Sequence, residues 1–120
     1  MQTYSPLSLA FLGDSVYDLL ARETLLREAN RPARKLHAES TRRVNAREQA
    51  CAAQKIAPLL SSEEAAVLRR GQNAKPRHAP GSCTREEYAL ATGLEALFGW
   101  LWLAGHFARA RELFMLVWNA

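Results

Sequence analysis

The chain has 120 residues, a length that suits one compact domain with its own core and excludes two. Its hydrophobic fraction of 48% and charged fraction of 23% are ordinary for a soluble globular protein. The net charge is +4 at pH 7. Good helix formers dominate and β-branched residues are few, so we expect residues 1–120 to form a single all-α domain.

The two cysteines and three histidines show neither a CxxC pair nor a metal-binding spacing. Cys51 and Cys83 are 32 positions apart, and no basic and apolar leader is present at the start of the sequence. We therefore expect a cytoplasmic protein with reduced thiols.

The first predicted helix begins at Ser5-Pro6, because Ser is a favoured cap and Pro a favoured first helical residue. It runs to about Glu28. Asp14 is the only charged side chain in the first seventeen residues, and it lies well round the helix from the main apolar stripe. Small and aromatic side chains flank it, so we expect neighbours on two faces of this helix and Asp14 in a crevice between them.

The next stretch predicts a second helix and a short third one. Residues 30–32, Asn-Arg-Pro, break the chain, and a helix is expected from about Ala33 to Lys55, ended by Pro58. The sequence Ser-Ser-Glu-Glu at 61–64 is a capping signature, and it predicts a short helix that ends at Arg70.

Residues 71–84, GQNAKPRHAPGSCT, contain two prolines, two glycines and no apolar periodicity. They predict a loop of about fourteen residues, which is long for a compact domain and therefore indicates a functional segment. Five Lys and Arg residues and no acid lie between Arg69 and Arg85, and a second basic cluster spans residues 31–47. Such clusters favour a polyanionic partner, although solvated helix faces are an alternative for the second one.

A long apolar helix is predicted after the capping sequence that begins at Thr84. Glu95 is the only charged side chain in residues 88–105, YALATGLEALFGWLWLAG. The segment is long enough to span a membrane, but it contains Glu95, a threonine and three glycines. An amphipathic helix is predicted to follow, with Phe107, Ala110, Phe114, Leu116 and Val117 on its apolar side. We therefore predict a buried central helix and no membrane partner.

Small residues accompany both isolated acids. Thr92, Ala96 and Gly99 form a strip at helical spacing beside Glu95, and Gly13 precedes Asp14. Such positions allow another backbone to approach closely. Close helix packing at both places would bring the two carboxylates within reach of one ion.

Taken singly, each acid has a purely structural explanation. Glu95 is explained as a buried carboxylate paired with Arg or held neutral, and Asp14 as a surface acid or a hydrogen-bonded core residue. Together they favour a site, because two carboxylates in one crevice require a shared proton or a divalent cation. Mg²⁺ is held by one or two carboxylates, waters and phosphate oxygens. The chemistry therefore favours a metal-dependent phosphodiesterase.

At these residues the sequence resembles a known family. Residues 10–20, AFLGDSVYDLL, resemble the first signature of the ribonuclease III catalytic domain, and residues 91–105, ATGLEALFGWLWLAG, resemble the second. The match is closer to Mini-ribonuclease III, the small bacterial branch without a double-stranded-RNA-binding domain. Four segments resemble that branch, in the same order: GDSVYD (13–18), KLHAESTRRVNAREQA (35–50), RRGQNAK (69–75) and YALATGLEALFGWLWL (88–103).

The resemblance implies a ribonuclease III-like helical bundle that forms a homodimer and cuts both strands of double-stranded RNA with Mg²⁺. Asp14 and Glu95 match the metal-binding and catalytic acids of the two signatures. Ala10 and Thr92 stand where full-length ribonuclease III has further acids, which places a two-metal site in doubt. Asp18 stands where the Mini-III branch usually has Glu, and we expect it to support the site indirectly.

The resemblance also implies a substrate, which in the family is typically precursor large-subunit (23S) ribosomal RNA. RNA duplexes are recognised through phosphates and 2′-hydroxyls. We expect four residues to supply charge and one to supply an amide, namely Lys75, Arg77, His78, Arg85 and Asn73. Gln72 replaces an Arg of the branch, which weakens one RNA contact. Because the basic loop supplies much of the contact with RNA, the affinity for RNA should fall steeply with salt concentration.

Two other functions compete with the nuclease. The first is a catalytically inactive RNA-binding module of the same fold, and the presence of both acids argues against it. The second is a helical DNA-binding regulator, for which no short helix–turn–helix unit with a basic recognition helix is found.

Overall fold

The structure is a computed structural model, and it describes residues 3–74 and 81–119. Within those residues all regular structure is helical and no strand occurs, which confirms the all-α prediction. The described elements are α1 (Pro6–Glu28), α2 (Ala33–Arg43), α3 (Ala46–Ile56), a 3-10 turn (Ala57–Leu59), α4 (Ser62–Asn73), α5 (Arg85–Leu103) and α6 (Phe107–Trp118).

Side-chain caps start the helices where the sequence predicted them. Ser5 Oγ accepts a hydrogen bond from the Ser8 backbone N–H at 3.1 Å. At the start of α4 and of α5, a hydroxyl and a Glu carboxylate satisfy each other's backbone N–H groups. The pairs are Ser61 with Glu64 and Thr84 with Glu87. These caps satisfy N–H groups that the helix itself leaves without partners.

The single helix predicted from Ala33 to Lys55 is wrong, because the chain forms two helices there. Val44 leaves the helical conformation, and the Asn45 side chain accepts a hydrogen bond from the Glu48 N–H at 3.0 Å. Asn competes for backbone hydrogen bonds and so favours a cap over a helix interior. The break gives α3 a direction of its own, and α3 packs on α5.

The prediction that α4 ends at Arg70 is also wrong, since the helix continues to Asn73. Gly71 is inside the helix because it faces α5, where a Cβ added to it would lie 2.7 Å from the Ala96 Cβ and 2.9 Å from the Gly93 Cα. Tertiary packing therefore extends a helix that propensity would have ended. The predicted loop of residues 71–84 is correspondingly shorter, and its residues 75–80 lie outside the described part of the chain.

The predicted apolar side of α6 is partly wrong. Phe107 and Leu116 are 46% and 49% exposed. The buried residues of this helix are Ala110, Leu113, Phe114 and Trp118. Alternative stripes one position apart are almost equally apolar in this sequence, and only the packing partners select between them.

Helix α5 is the centre of the fold. Helices α1, α3, α4 and α6 all pack against it, and Leu94, Leu97 and Phe98 are 0% exposed. The ring of Tyr17 meets the Phe98 ring edge-on with centroids 5.2 Å apart. This confirms the prediction of a buried central helix. Among the described residues, no helix is both long and apolar enough to cross a membrane.

Helices α1 and α5 cross in backbone contact at two glycines. A Cβ added to Gly13 would overlap the carbonyl oxygen of Glu95, and one added to Gly99 would overlap that of Leu9. The prediction of close approach at both glycines is therefore confirmed. Only a hydrogen atom fits at either position, so the spacing of the two helices depends on them.

Gly13→Ala should destabilise the fold by about 3 kcal/mol or more, because the two helices must separate to admit the methyl group. Gly81→Ala is the matched control, since no described atom lies within 4 Å of the position its Cβ would take. Urea denaturation of both variants measures the difference. A Gly13→Ala protein as stable as Gly81→Ala would contradict the account of the crossing.

Candidate active site

The glycine crossing brings the two isolated acids together. Asp14 follows Gly13 on α1, and Gly13 lies against the backbone carbonyl of Glu95 on α5. The Asp14 carboxyl lies close enough to that of Glu95 to raise the pKa of the Glu95 carboxyl. Backbone contact at Gly13 is what allows such short side chains on separate helices to meet.

The two acids differ in their exposure to solvent. Glu95 is partly buried, whereas Asp14 is exposed, so the predicted crevice around Asp14 is wrong. The neighbouring Ser15 is exposed as well. Helices α2 and α5 pack on α1, but they leave this arc of its surface open. The pair therefore has one carboxyl directed to solvent and one withdrawn beneath it.

A third polar group at this place is Gln49 of α3. It is only 5% exposed, and its side-chain amide lies close enough to Glu95 to lower the pKa of that carboxyl. No role was predicted for Gln49 from the sequence. The sequence does contain a signal for a buried polar residue at this position. Gln49 directly precedes Ala50 and begins the face of α3 that is buried in the structure, which also includes Ala53 and Ile56.

Burial, followed by the hydrogen-bonding and negative charge of Asp14, raises the pKa of Glu95 from its ordinary 4.5 to about 8. The hydrogen bond from Gln49 acts in the opposite direction and lowers it. Near neutral pH the Glu95 carboxyl of the metal-free chain is therefore mainly protonated. A bound cation reverses this preference, because metal ligands must be deprotonated.

Tyr17 lies close to the acids but cannot exchange protons at neutral pH. Burial raises its pKa to about 12, against the opposing effect of the Arg43 charge. The phenol therefore remains neutral, and its ring serves the core through Phe98 and Phe114.

The donor atoms at the crossing fit Mg²⁺. Carboxylate and amide oxygens are the hard ligands that this cation prefers. Across residues 3–74 and 81–119, no group of three or more His, Cys, Asp or Glu side chains is arranged to hold a metal ion. Asp14 and Glu95 would thus be the charged ligands, with waters and substrate phosphates completing the coordination.

The other predicted site residues lie apart from the two acids or outside the described chain. Asn73 is the last residue of α4 and Arg85 the first of α5, and both are exposed. Lys75, Arg77 and His78 lie outside the described residues. Asp18, expected to support the site, forms an ion pair with Arg22 at 3.3 Å, one helical turn beyond Asp14.

The basic cluster of residues 31–47 is partly used within the fold. Arg42 pairs with Glu39. Arg43 donates a hydrogen bond to the Trp118 carbonyl at 2.6 Å, and its guanidinium lies 3.5 Å from the centre of the Trp118 ring. Arg47 lies 3.9 Å from Glu87. Arg31, Arg34 and Lys35 are exposed and available to a polyanion.

Comparison with known proteins identifies the family. The Ribonuclease III domain model matches residues 7–106, a range that contains both acids. The chain belongs to the ribonuclease III family. It is 43% identical to the Mini-ribonuclease 3 of Thermoanaerobacter sp. (strain X514) over 112 residues, which are 93% of this chain and 79% of that protein. It is 43% identical to the Mini-ribonuclease 3 of Symbiobacterium thermophilum over 111 residues, 92% and 85% of the two chains.

The fold agrees with this assignment. A crystal structure of a Fusobacterium nucleatum protein superimposes with a TM-score of 0.89 at 32% identity, over 98% of this chain and 94% of the other. The resemblance to Mini-ribonuclease III is therefore confirmed. The chain is an endoribonuclease of the ribonuclease III type, a family that acts on double-stranded RNA.

Without metal, Glu95→Gln should stabilise the protein at high pH. The folded pKa of about 8 lies above the ordinary 4.5, so the folded chain holds a proton that the unfolded chain has released. Stability therefore falls as pH rises through this window. Discounted for partial exposure, the variant should be about 2 kcal/mol more stable at pH 8.5, and the gain should vanish by pH 4.5.

Urea denaturation of wild type and variant in chelator, at several pH values, measures this gain. Glu86→Gln is the control, because Glu86 is an exposed carboxylate on the same helix and should give no comparable pH dependence. A gain that stays constant from pH 4.5 to 8.5 would disagree with a protonated Glu95.

Proposed function

We propose that this chain is a Mg²⁺-dependent endoribonuclease that cuts double-stranded RNA, with Asp14 and Glu95 as its catalytic residues. We also propose that residues 1–120 form one catalytic domain. The observation that carries the proposal is the contact between these two carboxyl groups at the α1–α5 crossing. Bound Mg²⁺ would supply an activated water and offset charge on the scissile phosphate. Asp14 and Glu95 would hold the cation, and Asp14 faces the solvent from which the RNA arrives.

The proton on Glu95 connects this chemistry to pH. Because the pKa of Glu95 is raised to about 8, binding of a cation near pH 7 must release that proton. Cation affinity should consequently increase with pH until Glu95 is ionised in the free protein. The partial burial of Glu95 also limits how much water can reach its carboxylate and compete for hydrogen bonds there.

Asp14→Asn and Glu95→Gln should each lower the single-turnover rate of cleavage of a duplex RNA in Mg²⁺ by about 10³-fold or more, because each removes a charged metal ligand. Both substitutions keep the size of the side chain, so the fold should persist. Glu63→Gln is the control, since Glu63 is exposed on α4.

Undiminished cleavage by either variant would remove that residue from the site. A wild-type protein that binds duplex RNA but does not cut it in Mg²⁺ would favour the inactive RNA-binding module. Among the described residues, nothing in the structure favours the DNA-binding regulator.

For RNA binding we propose Asn73, Lys75, Arg77, His78 and Arg85. The exposed positions of Asn73 and Arg85 at the two ends of the 74–84 connection support this. Exposed cations of residues 31–35 would add to the attraction of the phosphates. The resemblance to Mini-ribonuclease III supports precursor 23S ribosomal RNA as the biological substrate, and hence a cytoplasmic location.

We further propose that the active form is a homodimer. One chain has one pair of acids at the α1–α5 crossing, and cutting both strands of a duplex requires two such pairs. The outer face of α1 supports this. Phe11 is 83% exposed, and Tyr4 and Leu7 on the same face are 43% and 48% exposed. Water is an unfavourable environment for these side chains. Phe11 lies one helical turn from Asp14, so a second copy bound here would border the active site.

Phe11→Ser should weaken dimerisation by about 100-fold or more, as expected for a central aromatic anchor. Analytical ultracentrifugation over a range of protein concentrations measures the dissociation constant. Leu116→Ser is the control, because Leu116 is a 49% exposed apolar residue on α6. A monomeric wild type, or equal dissociation constants for the two variants, would refute this interface.

A further inference from the structure

Gln49 is a buried polar residue whose partner is an acid of the proposed site. Two other buried polar side chains have structural partners: Glu64 accepts a hydrogen bond from Arg109 at 2.8 Å, and the Thr92 hydroxyl donates to the Tyr88 carbonyl at 2.9 Å. Gln49 is 5% exposed on α3, which packs on α5, and its amide lies close enough to the Glu95 carboxyl to act on it. Burying an amide is costly unless it is hydrogen-bonded, so this contact requires an explanation.

The backbone holds Gln49 rigidly at this place. Its N–H donates to the Asn45 carbonyl at 2.8 Å, which is the first hydrogen bond of α3. The Asn45 side chain caps the same turn through the Glu48 N–H. Small buried residues, Ala50 and Ala53, follow on the face of α3. The chain break at residues 44–45 therefore places Gln49 at the start of the buried face of α3, which packs on α5.

The chemical type of this partner suits a metal ligand. An amide N–H₂ group donates hydrogen bonds but is neutral. It can fix the orientation of a carboxylate without cancelling the charge that a cation needs, whereas Arg or Lys would compete with the cation. Groups that orient metal ligands through hydrogen bonds commonly change metal affinity or activity by about 10–100-fold when removed.

We propose that Gln49 is a positioning residue for the active site, whose side-chain amide donates to one oxygen of Glu95 and turns the other oxygen toward Asp14 and the cation. This inference rests on the proposed function, since it takes Glu95 as a metal ligand.

The test replaces Gln49 with Met, which has a similar length and no donor. Gln54→Met is the matched control, because Gln54 lies on the same helix and is exposed. Metal affinity is measured without RNA by titration with Mn²⁺, in which the EPR signal reports the concentration of the free ion. Cleavage of duplex RNA is measured against Mg²⁺ and against RNA concentration.

For Gln49→Met we expect Mn²⁺ affinity to fall by about 10-fold or more, and the Mg²⁺ concentration for half-maximal cleavage to rise by a similar factor. The KM for RNA at saturating Mg²⁺ should stay within about twofold of wild type, because Gln49 is buried and does not contact the RNA. Gln54→Met should match the wild type in every measurement.

Unchanged Mn²⁺ affinity and Mg²⁺ dependence in a folded Gln49→Met protein would overturn the positioning role. If Gln49→Met does not fold, as judged by its melting transition, the same measurements on Gln49→Asn test the proposal. Asn keeps the amide but is too short to reach Glu95, so it should show the same weakened metal dependence, and wild-type behaviour would overturn the proposal.

The outcome is separable from that of the proposed function. Cleavage by Glu95→Gln would remove the basis of both proposals. An inactive Glu95→Gln together with a Gln49→Met protein of wild-type metal dependence would leave the proposed function intact and reject Gln49 alone.

Discussion

The contact between α1 and α5 at Gly13 and Gly99 sets the spacing of the central helix pair and the position of both acids. Each glycine lies against a backbone carbonyl of the other helix, so no side chain can separate the two backbones. This spacing allows two short acids on separate helices to touch. The core and the site therefore share one determinant, and a change that loosens the crossing would affect both stability and chemistry.

The two neighbouring carboxyl groups are locally destabilising, and the rest of the fold offsets this. Burial and the neighbouring Asp14 raise the pKa of Glu95 to about 8, so the ionised form is disfavoured until a cation compensates it. Apolar residues of α5 such as Leu94 and Phe98 supply the surrounding stability. In the metal-free chain a proton on Glu95 removes the repulsion between the two acids near neutral pH, and the proposed cation would have to displace it.

Local signals predicted much of the fold. The caps at Ser5, Ser61 and Thr84 set helix starts through hydrogen bonds within four residues, and these were correct. The errors occurred where distant contacts act. Packing of Gly71 on α5 extends α4 beyond Arg70, and Asn45 ends a helix that the apolar pattern would have continued.

The all-α class, the two isolated acids Asp14 and Glu95 and the small residues beside them could be read from residue type and spacing. The sequence also identified the family through the segments around both acids. Tertiary structure alone decided that Asp14 is exposed while Glu95 is withdrawn, and that Gln49 reaches Glu95. The physical reason is that exposure and hydrogen bonding between helices depend on how α1, α3 and α5 pack, which no local pattern encodes.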